Sequence, residues 1–336
     1  MLNMLKRKLS SILSLFVITG FLVTGCGQAQ PAVTTPSDPP AKTTTSAPAE
    51  DPAKAIKGAV ETYFTDLGSS VKNSYKIPEK DLMTELDKNP DKYVVLDIRK
   101  ADAYAKGHIK GAINVPYGPE IAKNLENIRA IAQDKTLIVA CYTGQTAGQT
   151  DSLLNVAGIK TLSLNSGMGG SGTPGFENRG WLGQKFPTVT EPTLMPTVPA
   201  VASKSKAVDE AVQKYFYELP KDSYKIDLPV MKDALAKEAD KYYLVDVRKA
   251  EDFAKGHIKG AVNIPYGPEI AKNLDSIKEN SKGKTVVVYC YTGQTAGQTD
   301  SLLNIYGIPT KSLNFGFGMA GFSKGWSADK SYEVVQ

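Results

Sequence analysis

The sequence predicts an α/β fold of two tandem domains, each a mainly parallel sheet flanked by helices. Short apolar runs alternate with helical patterns, as in open α/β sheets. The alternation occurs twice. Residues 92–125 and 241–274 align without a gap at an offset of 149, and 141–155 is identical to 290–304 (CYTGQTAGQTDSLLN). A period that long exceeds the roughly 20 to 50 residues of a solenoid unit and marks a duplicated domain. Length agrees, since 336 residues at about 150 per domain gives two.

Each copy opens with a helical pattern (55–67; 207–219), then a Ser-Tyr-Lys-Ile segment and a second, shorter helix (79–87; 228–238). Tyr93–Asp97 (YVVLD) is a short apolar run of the kind buried in a parallel sheet. Gly111–Val115 is the second strand, 121–132 a helix, and Thr136–Ala140 (TLIVA) a third strand ending at Cys141. The turn 142–146 leads into a helix through Val156, and Thr161–Leu164 is the last strand. In such sheets chemistry collects at the carboxyl ends of strands, where Cys141 and Cys290 stand.

Composition narrows the function. Hydrophobic residues at 41% and charged residues at 22% suffice for two cores and exclude disorder throughout. The net charge of +5 falls to +2 without Lys6, Arg7 and Lys8, which lie in a segment expected to be removed. So small an excess, with no basic run interleaved with aromatics, gives no reason to expect nucleic acid as a partner. Two His and three Cys leave no zinc set of the usual spacing and no disulfide framework, so no metal is expected.

Residues 1–25 combine that basic start with an apolar run from Ile12 to Val23, short for a membrane span, in the pattern of a signal peptide. Val23-Thr24-Gly25-Cys26 resembles the lipobox of bacterial lipoproteins. That resemblance implies cleavage before Cys26, a diacylglycerol on its sulfur, and anchoring to the cell membrane on the extracytoplasmic side. Residues 26–51 are Pro, Thr, Ala and Ser with too little apolar surface to offset ordering, and read as a disordered tether. A second such stretch, 187–203, reads as a linker, which puts the domains at 52–186 and 204–336.

The two cysteines beyond Cys26 hold one position in both copies, between a strand end and a helix N-terminus within a Gly-rich turn. Backbone N–H groups and the helix dipole there favour the thiolate, so the thiol pKa is expected below its free value of about 8.5. Gly144 and Gly148 let successive N–H groups point at one spot, and Thr143 and Thr146 add hydroxyls. The arrangement suits a compact anion attached to, or attacked by, the sulfur. A small buried cysteine is the plainer alternative, and a Cys141–Cys290 disulfide would need the two loops to face each other.

Val95-Leu96-Asp97-Ile98-Arg99, Gly107-His108-Ile109, Gly111-Ala112-Ile113-Asn114-Val115-Pro116 and Cys141 to Ala147 occur in an order that resembles a rhodanese domain. The second copy repeats it with Val245-Asp246-Val247-Arg248, Gly256-His257-Ile258, Gly260 to Pro265 and Cys290 to Ala296. The resemblance covers nearly everything outside the signal and the two linkers. It implies a sulfurtransferase whose cysteine takes the outer sulfur of a donor such as thiosulfate or mercaptopyruvate, holds it as a persulfide, and passes it to cyanide or a thiol without a cofactor. Mapped here, Cys141 and Cys290 are the nucleophiles. The backbone of Tyr142, Thr143, Gly144, Gln145, Thr146 and Ala147, and of Tyr291, Thr292, Gly293, Gln294, Thr295 and Ala296, would cradle the persulfide. Thiosulfate-using relatives often carry Arg or Lys just after the cysteine. This chain has Tyr142 with Thr143 and Tyr291 with Thr292, and Ala103 and Asp252 replace a further donor-binding Arg.

Arg99 and Arg248 are kept as donor-binding candidates, although beside Asp97 and Asp246 they read first as fixing local loops. His108 and His257 read as hydrogen-bonded structural residues, Trp181 and Trp326 as packing, and 117–120 with 266–269 as a pocket rim by adjacency alone. Two rivals remain. A persulfide carrier or binding module would hold sulfur without turnover. A cysteine phosphatase would need an Arg five or six residues after the cysteine, where Thr146, Ala147, Thr295 and Ala296 stand.

Overall fold

The computed structural model describes residues 50–68 and 73–336. The signal peptide, Cys26 and all but the end of the tether lie outside them.

In the first copy the elements are α1 (Pro52–Asp66), β1 (Lys76–Ile77), α2 (Glu79–Lys88), β2 (Tyr93–Asp97), α3 (Ala101–Lys106), β3 (Ile113–Asn114), α4 (Pro119–Lys123), α5 (Leu125–Ile131), β4 (Thr136–Ala140), α6 (Gln145–Val156), β5 (Thr161–Leu164) and α7 (Gly180–Gly183). The second copy holds α8 (Lys206–Tyr217), β6 (Lys225–Ile226), α9 (Leu228–Glu238), β7 (Tyr242–Asp246), α10 (Ala250–Lys255), β8 (His257–Ile258), β9 (Val262–Asn263), α11 (Pro268–Asn280), β10 (Thr285–Tyr289), α12 (Gln294–Ile305), β11 (Thr310–Leu313) and β12 (Val334–Val335). Each copy has a five-stranded sheet, in the orders β1-β5-β4-β2-β3 and β6-β11-β10-β7-β9, with every pairing parallel.

All five residues of β4 are buried, as expected of a central parallel strand covered on both faces. The β2–β4 register sets Asp97 beside Ala140, so the motif aspartate and the cysteine leave the sheet side by side. α1 starts where Asp51 caps it, accepting from the amides of Ala53 and Lys54 with Pro52 in the first turn. The expected helix over 121–132 is instead two, α4 and α5, broken at Asn124, whereas its counterpart α11 is continuous. The break goes with Arg129, which is buried and bonded to the Ala157 carbonyl and to Asp209, while its counterpart Lys278 stays on the surface. The second strand, expected over 111–115, is only the two residues of β3, and the Ser-Tyr-Lys-Ile segment ends in a short strand that the apolar pattern does not reveal.

The described residues form one compact unit. α6 and α12 face each other, and the first helices are exchanged: α1 packs on α11 and α8 on α4. Phe64 meets Tyr266 edge-on, as Phe216 meets Tyr117, and the Tyr63 and Tyr266 hydroxyls are 3.1 Å apart. A single buried apolar layer therefore runs through both copies, with a smaller core on the outer face of each sheet. After the first copy the chain bridges back onto it at His108↔Val189 and Ile113↔Thr193, so the segment after Pro187 is partly fixed.

Candidate functional site

Each cysteine leaves the end of its central strand and turns at once into the N-terminus of the following helix. The turn needs a left-handed residue, supplied by Gly144 (φ 94°) and Gly293 (φ 100°). As a result the Gly144 and Ala147 amides donate to Cys141 Sγ at 3.1 and 3.3 Å, and the Gly293 amide donates to Cys290 Sγ at 3.1 Å. Both cysteines are free, and their exposures are 1% and 3%.

A second glycine turn, absent from the sequence reading, presses against each loop. The Met168 amide donates to the Cys141 carbonyl at 2.7 Å, and Phe317 does the same for Cys290. A Cβ on Gly167 or Gly316 would stand 2.5 Å from the same carbonyls. The signal was present as a Gly-rich stretch in both copies, 166–175 and 314–318.

The other candidates separate by role. Arg99 is buried, clasping Asp97 through Nε and Nη2 and donating to the Gly107 carbonyl at 2.8 Å; Arg248 repeats this with Asp246 and Gly256. The same arginines line a pocket beside each loop, of about 530 Å³ with Tyr142 and about 410 Å³ with Tyr291. Tyr291 donates to Asp252 at 2.6 Å, and burial followed by that bond pushes its phenol up to about 12. The first copy has Ala103 at that place, so the two pockets differ in charge. Thr143, Thr146, Thr292 and Thr295 are half-buried, and none of their hydroxyls bonds a cysteine sulfur.

Gln145 and Gln294 send their amides across to the other copy, to Ser312 Oγ at 2.8 Å and Ser163 Oγ at 2.9 Å. Gly148 lies in α6, not in the turn, and a Cβ there would sit 2.5 Å from the Gln294 carbonyl oxygen; Gly297 meets Gln145 in the same way. Its smallness serves helix contact and not loop curvature. Tyr117 and Tyr266 face this contact as well: Tyr117 donates to Gln149 Oε1 at 2.7 Å. His108 stacks on Tyr104 and bonds its carbonyl and that of Glu191. His257 stacks on Phe253, and Trp181 and Trp326 are buried with their indole N–H groups on Pro187 and Glu333 carbonyls.

Comparison with family models identifies one family. The family model described as Rhodanese-like domain matches residues 79–170 and 230–329, more than half of the chain. The chain is similar to thiosulfate sulfurtransferase PspE of Escherichia coli (strain K12), 35% identical over 63 residues, covering 19% of this chain and 59% of that one. It is also similar to a tRNA sulfurtransferase of Pyrobaculum aerophilum, 30% identical over 80 residues, covering 24% of this chain and 16% of that one. The chain thus spans less than two thirds of the length of either relative. Among solved structures, a thiosulfate sulfurtransferase from Pseudomonas aeruginosa matches at a TM-score of 0.30 and 23% identity, over 82% of this chain and 49% of that one.

Proposed function

Because the chain belongs to the Rhodanese-like domain family and carries that domain twice, we propose that it is a sulfurtransferase working through a persulfide on Cys141 and on Cys290. The observation that carries the reading is the convergence of the Gly144 and Ala147 amides on one sulfur. Donors fixed in that direction stabilise negative charge on sulfur before and after it accepts another atom. In the first half-reaction the thiolate attacks the outer sulfur of the donor. A sulfur–sulfur bond forms, and the donor's own bond to that atom breaks with the electron pair leaving on the remainder, sulfite if the donor is thiosulfate. In the second, a thiol or cyanide takes the outer sulfur and the cysteine thiolate is released. The names of the similar proteins support sulfur transfer as the activity.

Burial of both sulfurs favours a second reading, in which the protein stores or carries sulfur without turnover. One assay separates the two. The soluble part is incubated with thiosulfate, mercaptopyruvate or a polysulfide, cyanide is added, and thiocyanate is measured. Turnover lost in Cys141→Ser/Cys290→Ser supports the enzyme, whereas one sulfur per cysteine without turnover supports the carrier. We propose further that the protein is exported and lipid-anchored through Cys26, which metabolic fatty-acid labelling, lost in Cys26→Ser, would test.

A further inference from the structure

Lys76 and Lys225, both half-buried, stand at the contact between the copies. Each copy inserts its Ser-Tyr-Lys-Ile segment into the contact between copies. The segment is held in an unfavourable backbone: Asn73, Ser74 and Tyr75 have φ of 53°, 56° and 54°, and Ser223 and Tyr224 have 55° and 54°. Non-glycine residues adopt this region at a cost, so something fixes them there. The fixing group belongs to the other copy: Gln298 Nε2 donates to the Ser74 carbonyl and Gln149 Nε2 to that of Ser223, both at 3.0 Å. These glutamines lie on the helices that begin at the opposite cysteine loops.

Strand alternation then aims the lysines. Ile77 points into the outer core with Leu82, Leu164 and Trp181, so Lys76 points to the inner face, where Cys290 also lies. Its register partner is Ser163, whose hydroxyl accepts from Gln294, four residues beyond Cys290. Lys225 has the same relation to Ser312, Gln145 and Cys141. Neither lysine's side chain has a hydrogen bond or ion pair among the described residues. Burial lowers the Lys76 ammonium from its ordinary value, and the charges of Cys290 and then Asp151 act against that lowering.

Building on the sulfurtransferase reading, we propose that Lys76 and Lys225 are the cations of the sulfur sites, each serving the cysteine of the opposite copy: Lys76 with Cys290, and Lys225 with Cys141. Their ligand is the anionic sulfane-sulfur group of the incoming donor. The cation that the loops lack after their cysteines is thus supplied in trans. Each lysine acts through its charge alone, and no bond to its nitrogen forms or breaks.

The test uses two parents, Cys141→Ser and Cys290→Ser, each with one working site. Lys76→Met should raise KM for thiosulfate at least about tenfold where only Cys290 remains, the loss expected for a charged hydrogen-bond partner, and change it less than about twofold where only Cys141 remains. Lys225→Met should do the reverse, Lys76→Arg should restore most of the loss, and dimethyl trisulfide, a neutral donor, should be little affected. A folding defect in the first copy would instead damage the Cys141 site, and that pattern, or an unchanged KM in both parents, overturns the proposal. If neither parent turns over any donor, the sulfurtransferase reading fails, and the lysines are read separately by alkylation of Cys290. Lys76→Met should then slow anionic iodoacetate several-fold more than neutral iodoacetamide, and equal slowing sinks the pairing.

Discussion

Gly148 and Tyr215 show how narrowly the contact between copies is fitted. With the Gln294 carbonyl oxygen 2.5 Å from where a Cβ would be, Gly148→Ala must push two helix backbones apart, which is expected to cost about 2 kcal/mol or more. Gly58 is the control, because it lies mid-helix in α1 with open space around it. Gly58→Ala should be neutral or stabilise by up to about 1 kcal/mol, and urea denaturation of the two variants would show opposite shifts. At Tyr215 the hydroxyl is buried beside that of Tyr117 but outside good hydrogen-bond geometry, whereas its counterpart Tyr63 meets the Tyr266 hydroxyl. Removing a loosely placed group leaves little behind, and removing a paired one exposes its partner. Tyr63→Phe should therefore destabilise by about 1 kcal/mol and Tyr215→Phe by less, again read by urea midpoints.

Among the elements, the central strands were legible and the exchange of first helices was not. Burial on both faces forces a run such as TLIVA, which a sequence displays directly and which locates Cys141 at the strand end. The buried residues of α1, namely Val60, Tyr63 and Phe64, specify only that one face must be covered. Because the two copies present nearly identical surfaces, that stripe fits either, and the choice is made by geometry beyond the repeat. The same limit applies to the identical stretch 141–155. Read as chemistry, it explains the cysteine and its amides. Read as structure, its latter half matches because the two segments face each other: Gln149 donates to both Asp300 carboxylate oxygens, Gln298 does so to Asp151, and Ser152 and Ser301 hydroxyls meet at 2.7 Å. The exchange is open to a direct check. Phe64→Ala should cost about 3 to 5 kcal/mol and raise amide exchange in α11 of the second copy more than in α5 of the first; the opposite ranking would mean that α1 covers its own copy in solution.

For the molecule as a whole, sharing a core between the copies removes the independence that a tandem repeat suggests. Chemical denaturation of residues 50–336 should give one cooperative transition, with both copies losing amide protection together, and two separated transitions would contradict the shared core. Alkaline pH should attack this core specifically. Tyr63 and Tyr215 are buried and Tyr117 and Tyr266 half-buried, and burial, the largest cause, holds each of their phenols well above its ordinary value. A folded value raised above the unfolded one, about 10, means that these groups contribute fully below that pH. Their contribution is lost as pH climbs through the folded value, because the unfolded chain releases the protons first. Melting temperature should therefore fall steeply from about pH 10 upward. In Tyr63→Phe/Tyr215→Phe, which removes two of the four phenols, the slope should be shallower even though the first change alone lowers stability at neutral pH. If the double variant and the parent fall in parallel, the alkaline loss arises from surface lysines and not from the aromatic layer that joins the copies.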